Sequence, residues 1–271
     1  MKCTAHSAVT VINAIATGMG GAIGIDLKVK AEVEIIDEGL KGEIYIRGER
    51  YTDHGLVGCI KDVLEERFNK EIGLEFIIDS DIPVGKGLKS SSAVSNAVTK
   101  AAVEALDIEM DDKDIIDIGI EASKRAGVTL TGALDDAYAS YFGGMCLTDN
   151  LNGDVIIEKK VEKEPVIILI PERTVLTRSL KNVDFESIRP YIDLVFSSAL
   201  DGEWKKASFL NGIVYSVLLG YETEPMFEVL EHSEVVGLSG TGPAMYSITE
   251  EQEKVKEVWG PLGETMEVCT R

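Results

Sequence analysis

The sequence predicts an α+β fold of two packed lobes. Three observations carry this expectation. Strand-like and helix-like segments interleave along both halves of the chain. Several strands follow one another at the N-terminus before the first helix. A hydrophilic stretch from Asp149 to Glu164 then separates the halves, so the lobes are expected over residues 1–152 and 153–271.

The elements follow from periodicity. Val9 to Asn13 is strand-like, the glycines of Thr17 to Ala22 read as a turn or loop, and Ile23 to Val29 resumes strand character. Alternation continues through residues 31–36 and 43–47. From Gly55 to Lys70 the period becomes helical, with Val57, Ile60, Val63, Leu64 and Phe68 on one face. Leu74 to Ile78 is a strand leading toward Pro83, and a Gly/Ser-rich loop then opens an Ala/Val-rich helix that reaches about Leu106. The acidic run at Asp111 suits the first turn of a helix ending near Arg125. Gly127 to Gly132 is a loop, Leu134 to Phe142 a short helix stopped by Gly143-Gly144, and Met145 to Leu147 a strand. In the second half, a strand at Val166 to Ile170 precedes helices near 186–200, 203–219 and 225–231. Strands at Val235–Leu238 and Met245–Ile248 flank a Gly-rich turn, Gly237 to Pro243. A helix to Trp259 and a strand to Cys269 close the chain.

Composition excludes several functions. The 271 residues carry 27 Lys+Arg against 47 Asp+Glu, a formal charge of −20, while 45% are hydrophobic. Such a chain can bury a substantial core and is no disordered acidic tail. Its acidity argues against general nucleic-acid binding and a polybasic membrane contact. A local positive pocket for a small anion remains compatible with it. No apolar run approaches the roughly 20 residues of a membrane span, and Met1 to His6 opens no signal peptide, so a cytosolic location is expected. Cys3, Cys59, Cys146 and Cys269 form no CxxC pair and are expected reduced in or near the core.

The loop Pro83-Val84-Gly85-Lys86-Gly87-Leu88-Lys89-Ser90-Ser91-Ser92-Ala93 is the most informative segment. Between a strand and a helix, such a loop offers free backbone N–H groups and the positive end of the helix dipole to an anion. The serines add hydroxyls, and one of them is a candidate helix cap. Neither the GxxxxGK[ST] phosphate-loop pattern nor the GxGxxG dinucleotide fingerprint fits this chain.

This loop resembles the P-x-x-x-G-L-G-S-S-A phosphate loop of the GHMP kinase superfamily, with Lys89 in place of a glycine. Gly132-Ala133-Leu134-Asp135-Asp136 resembles the segment bearing that family's catalytic Asp, and Gly237 to Pro243 its C-terminal Gly-rich motif. Thr10 to Leu27, Gly87 to Ala93 and Thr131 to Ala137 are similar to the archaeal-type shikimate kinases within it. The resemblance implies a GHMP kinase-like two-lobed fold with a ferredoxin-like C-terminal lobe, and ATP- and Mg²⁺-dependent phosphorylation of the shikimate 3-hydroxyl.

It also implies roles. Residues 83–93 would cradle the triphosphate, Ser91 or a neighbour would meet Mg²⁺, and Lys89 would bring a cation to the phosphates. Glu121 lies near where the family places an acidic Mg²⁺ ligand. Counting back without gaps from Gly143-Gly144 puts the catalytic Asp on Asp136, the preferred reading, whereas the Gly132-x-x-Asp spacing puts it on Asp135, which also suits a helix N-cap. About 100° separates neighbours on a helix, so only one of the two is expected to face the substrate. Asn13 and Asp26 are candidates for the shikimate hydroxyls. Arg178, Lys2 and Arg125 are candidates for its carboxylate, Arg being the better bidentate partner. Two other readings stand beside this one: another GHMP-type kinase, such as homoserine or mevalonate kinase, or a metabolite-binding regulator without catalysis.

Overall fold

The computed structural model describes residues 1–175, 180 and 182–271. β1 (Lys2–Ile12) and β2 (Met19–Ile36) form a long antiparallel pair at the centre of the first lobe. β2 is one 18-residue strand, where the sequence suggested a loop through Ala22 and two separate strands. The glycines serve close packing rather than a turn. A Cβ on Gly20 would lie 2.6 Å from Asp135 Cγ, and one on Gly21 2.6 Å from Leu147 Cδ2. Both positions lie within the antiparallel ladder.

β3 (Leu40–Ile46) and β4 (Glu49–Tyr51) form a hairpin through Arg47 and Gly48, both at positive φ. α1 (Gly55–Phe68) leads to β5 (Gly73–Ser80), which pairs with both β3 and β2. α2 (Ser90–Ala105) follows the Gly/Ser loop and lies against β1 and β2, burying Ala93, Ala97, Ala101 and Ala102. Small side chains allow that close approach. α3 (Asp112–Arg125) packs on α2 at Gly119, whose carbonyl accepts from Ser95 Oγ at 2.8 Å. α4 (Leu134–Phe142) lies across β1 and β2 and is followed by β6 (Met145–Asp149) and β7 (Asp154–Lys159). β7 pairs with β6 inside the hydrophilic stretch read as a lobe boundary, so the first sheet continues to Lys159, past the division expected at 152. Both faces of this edge strand are largely exposed, which hid it among polar residues.

The second lobe runs β8 (Pro165–Ile170), α5 (Arg189–Leu200), α6 (Trp204–Leu219), α7 (Glu224–Glu228), β9 (Val235–Leu238), β10 (Met245–Ile248), α8 (Gln252–Trp259) and β11 (Glu264–Cys269). Its four-stranded antiparallel sheet has the order β11-β8-β10-β9, the ferredoxin-like arrangement. One hydrophobic core runs through both lobes. Buried tyrosines stitch them together: Tyr246 Oη donates to Thr10 O at 2.8 Å and Tyr215 Oη to Asn13 O at 3.0 Å. Among the described residues, no helix is long and apolar enough to cross a membrane.

Candidate active site

A cleft of about 290 Å³ runs from the β3–β4 hairpin to the start of α4. The N-terminus of α2 forms its middle. Lys89 is the N-cap residue, in the left-handed conformation at φ 58°, and no side chain among the described residues caps the helix. None of the serines takes the capping role suggested by the sequence. The first intrahelical bond runs from Ala93 N to Lys89 O, so the N–H groups of Ser90, Ser91 and Ser92 lack intrahelical acceptors. That is the geometry of an anion site.

The loop leading to it is clamped from the second lobe. Gly87, at φ +83°, meets the Gly-rich turn so closely that a Cβ there would lie 2.0 Å from Ser239 O. Ser239 Oγ donates to Gly87 O at 2.8 Å, and Ala244 N to Lys86 O at 3.1 Å. From the first lobe, Ser7 Oγ donates to Leu88 O at 2.7 Å. Val84, Gly85 and Gly87 to Ser92 line the cleft. Pro83, Lys86 and Ala93 do not. Ala93 is buried in the core, and the Lys86 ammonium points away to donate to the carbonyls of Pro171, Glu172 and Arg173 at 2.7–2.8 Å.

Asp135 and Asp136 occupy the first turn of α4, where the helix dipole favours carboxylates. Both line the cleft, against the expectation that only one would face it. Ala133 is the N-cap, so Asp135 does not cap the helix. Asp136 Oδ1 stands 2.8 Å from Lys89 Nζ, both side chains mostly shielded from water. Asp135 is 3% exposed and accepts from Asn150 Nδ2 at 2.8 Å. Burial, reinforced by the neighbouring Asp136 charge, pushes the Asp135 carboxyl well above the usual carboxylate range; Lys89 and Asn150 act in the opposite direction.

Beyond this pair the cleft is lined by Asn13 to Ile15, Thr129, Thr131 and Thr241; at its other end lie Ile44, Ile46, Leu56 and Val57. Asn13 uses both ends of its amide internally: Nδ2 donates to Gly240 O at 2.8 Å, and Oδ1 accepts from Ile15 N at 3.0 Å. It shapes the wall of the cleft.

Four candidates lie elsewhere. Because β2 is continuous, Asp26 is carried away from the cleft at roughly 3.3 Å per residue. It accepts from Cys269 N at 2.8 Å and stands 3.9 Å from Lys163. Glu121 is exposed on α3 and held by Arg125 at 2.9 Å. Arg125 also binds Glu66, and Lys2 pairs with Glu32 on the surface. Asp26, Glu121, Arg125 and Lys2 are all absent from the cleft lining, and each has a partner elsewhere. Arg178 lies outside the described residues. Sequence reasoning missed Thr129, Thr131 and Asn150. Hydroxyls directly before a helix opening on two acids were a usable signal for the threonines; Asn150 had none.

Residues 55–144 match the family described as GHMP kinases N terminal domain. The chain is 50% identical to a shikimate kinase of Thermococcus kodakarensis over 98% of both chains, and 40% identical to one of Methanococcoides burtonii over 94% of this chain and 89% of the other. The chain belongs to the archaeal shikimate kinase family. Its fold is that of more distant kinases as well. The Methanococcus jannaschii mevalonate kinase superposes with a TM-score of 0.74 at 18% identity, covering 100% of this chain and 98% of the other. A homoserine kinase from Cytophaga hutchinsonii gives 0.73 at 19% identity, covering 100% and 94%. In this shikimate kinase-family chain, the Lys89 that departs from the wider superfamily pattern is the residue that meets Asp136.

Proposed function

We propose that the chain transfers the γ-phosphoryl group of ATP to the 3-hydroxyl of shikimate, with Asp136 as the carboxylate that receives the hydroxyl proton. The observation that carries the reading is the Lys89–Asp136 pair, 2.8 Å apart beside an uncapped helix N-terminus. Membership of the shikimate kinase family selects the acceptor over those of the mevalonate and homoserine kinases that share the fold.

Each part has a physical task. The apolar end of the cleft, at Ile44, Ile46, Leu56 and Val57, suits a nucleoside base. The N–H groups of Ser90 to Ser92 face the triphosphate. They stabilise charge on the transferred phosphoryl group without reorganisation. Asp136 orients the acceptor hydroxyl; as its oxygen forms the new bond to phosphorus, the bond to the ADP oxygen breaks and the hydroxyl proton passes to Asp136. Lys89 balances Asp136 before that transfer and remains close to the developing charge afterwards.

The residues present fit Mg²⁺ held mainly by the nucleotide. Among the described residues no three His, Cys, Asp or Glu side chains gather into a metal cluster, while the Ser90–Ser92 hydroxyls line the cleft. Mg²⁺ in nucleotide sites commonly keeps several waters and takes few protein ligands. Ser91 is the proposed protein ligand, and the ion supplies neutralisation of the phosphates. The exposed, Arg-bound Glu121 does not fit this role. Thr129, Thr131 and Thr241 are proposed for the hydroxyls of shikimate, and Arg178 remains the proposal for its carboxylate.

An ADP-release assay with shikimate, homoserine and mevalonate as acceptors, followed by phosphorus NMR of the product, tests the reading. Turnover with shikimate and a 3-phosphate product is expected. Turnover with either other acceptor and none with shikimate would reject it.

A further inference from the structure

Asn150 follows the last residue of β6 and lies outside the cleft lining, yet its side chain is 7% exposed and fully engaged. Its Nδ2 donates to Asp135 Oδ1 at 2.8 Å and to Thr131 Oγ1 at 3.3 Å. Its Oδ1 accepts from Thr148 Oγ1 at 2.7 Å, and Thr148 is fully buried. Thr148 Oγ1 donates to Oδ1, and Nδ2 faces Asp135 Oδ1, so the amide turns its nitrogen toward the ionised Asp135 and its oxygen toward the Thr148 hydroxyl.

The platform beneath Asn150 is rigid. Asn150 N donates to Gly18 O at 2.9 Å, tying the turn to the segment just after the Asn13–Ile15 wall. Asp149 Oδ1 accepts from Leu151 N and Asn152 N, both at 3.0 Å, which fixes the turn itself. Asp135 in turn rests on Gly20, where a Cβ would come within 2.6 Å of its Cγ. The carboxylate therefore lies between a strand position that admits no side chain and the Asn150 amide nitrogen. Asp136, the next residue on the same helical turn, takes its place from it.

We propose that Asn150 is a positioning residue for phosphoryl transfer, holding Asp135 and Thr131 so that Asp136 and the acceptor wall keep their reactive arrangement. This rests on the kinase reading given above. Positioning of this kind is worth rate rather than nucleotide affinity, because misplacement of a reacting group by about an ångström can cost on the order of 100-fold.

The test is steady-state kinetics on Asn150→Ala, Asn150→Ser, Asn150→Asp, Asp135→Asn and two double variants, with thermal midpoints measured alongside. Asn150→Ala is expected to lower kcat about 10- to 100-fold with the KM for ATP within about 3-fold of wild type. Asn150→Ser, which retains a donor, is expected to recover part of that loss. Asn150→Asp keeps the volume but sets a second carboxylate against Asp135, so its fall in kcat is read against the exchanged pair below, which keeps one donor and one acceptor at the same contact even if the alanine variant fails to fold. In the double variant Asp135→Asn/Asn150→Ala the losses are expected not to multiply, because both act through one contact. The exchanged pair Asp135→Asn/Asn150→Asp restores a donor and an acceptor and is expected to outperform Asn150→Asp alone. Wild-type kcat in the alanine or aspartate variant, or losses that multiply in the double variant, would overturn the inference. Wild-type protein without shikimate turnover sinks the functional reading and this inference with it; active wild type with indifferent Asn150 variants sinks the inference alone.

Discussion

Lys89 sits where the wider GHMP pattern has a glycine, and it adopts the left-handed conformation that glycine enters freely. For an L residue that conformation costs roughly 1–2 kcal/mol. The compensation is its ammonium, 2.8 Å from Asp136 and largely shielded from water. At this scale Asp136→Asn is the decisive substitution. It preserves shape, leaves the N–H groups of α2 untouched, and removes the proton acceptor. We expect kcat to fall on the order of 10²–10⁴-fold with ATP affinity within a few-fold of wild type, measured by steady-state kinetics and by titration of a non-hydrolysable ATP analogue. If Asp135→Asn lowers kcat by that amount and Asp136→Asn does not, the catalytic carboxylate is Asp135. The two aspartates were legible in the sequence because they belong to one short segment. Which of them touches Lys89 was not, since that contact joins residues 89 and 136 through the packing of α2 beside α4. Asp26 shows the reverse case. Its local motif resembled a binding segment, but the continuity of β2 carries it to a bond with Cys269 N.

Among the elements, the phosphate loop depends on an apposition with the turn between β9 and β10. Gly87 is the point of closest approach, and two penalties coincide there: a positive φ, and a Cβ position 2.0 Å from a carbonyl oxygen. Gly153 provides the comparison, because it has φ +76° and a Cβ there would meet nothing within 4 Å among the described residues. Gly153→Ala is therefore expected to cost only the backbone strain, about 1 kcal/mol, with unchanged KM for ATP. Gly87→Ala must also displace the loop or the turn. We expect a lower thermal midpoint than in Gly153→Ala and a KM for ATP raised by about 10-fold or more, read from melting curves and kinetics. Equal effects of the two substitutions would show that the apposition is not limiting. The sequence marked both Gly-rich segments and their order, since turns and helix starts are local signals. It misread Gly20 and Gly21 as a turn for the same reason: composition cannot distinguish a glycine that bends the chain from one that makes room for Asp135 or Leu147. β7 was hidden because an edge strand exposed on both faces has no hydrophobic alternation to detect.

For the whole molecule, the formal charge of −20 coexists with a cleft meant for two anions. The chain resolves this locally, with the N–H groups of Ser90 to Ser92, which lack intrahelical acceptors, and Lys89 at the cleft, while Asp135 is the one acid buried among the described residues. The same charge bears on stability against acid, where one half-buried group has a recognisable share. His6 lies in β1 opposite Lys28, and its Nδ1 is buried without a hydrogen-bond partner among the described residues. Burial lowers its pKa from 6.5 to about 4, helped by the positive charges of Arg271 and Lys28 and opposed by Asp26. The unfolded chain therefore binds this proton at a higher pH than the folded one. The contribution of neutral His6 to stability is fully present above about pH 6.5 and is lost as pH falls toward 4. Allowing for partial burial, the loss is on the order of 2 kcal/mol. Protonation of surface carboxylates over the same interval relieves repulsion and partly masks this loss, so the difference between two proteins is the useful measurement. In urea unfolding from pH 7 to pH 4.5, wild-type stability is expected to fall relative to that of His6→Gln, which cannot take up the proton. Parallel pH profiles for the two proteins would show that His6 is protonated equally in the folded and unfolded chains.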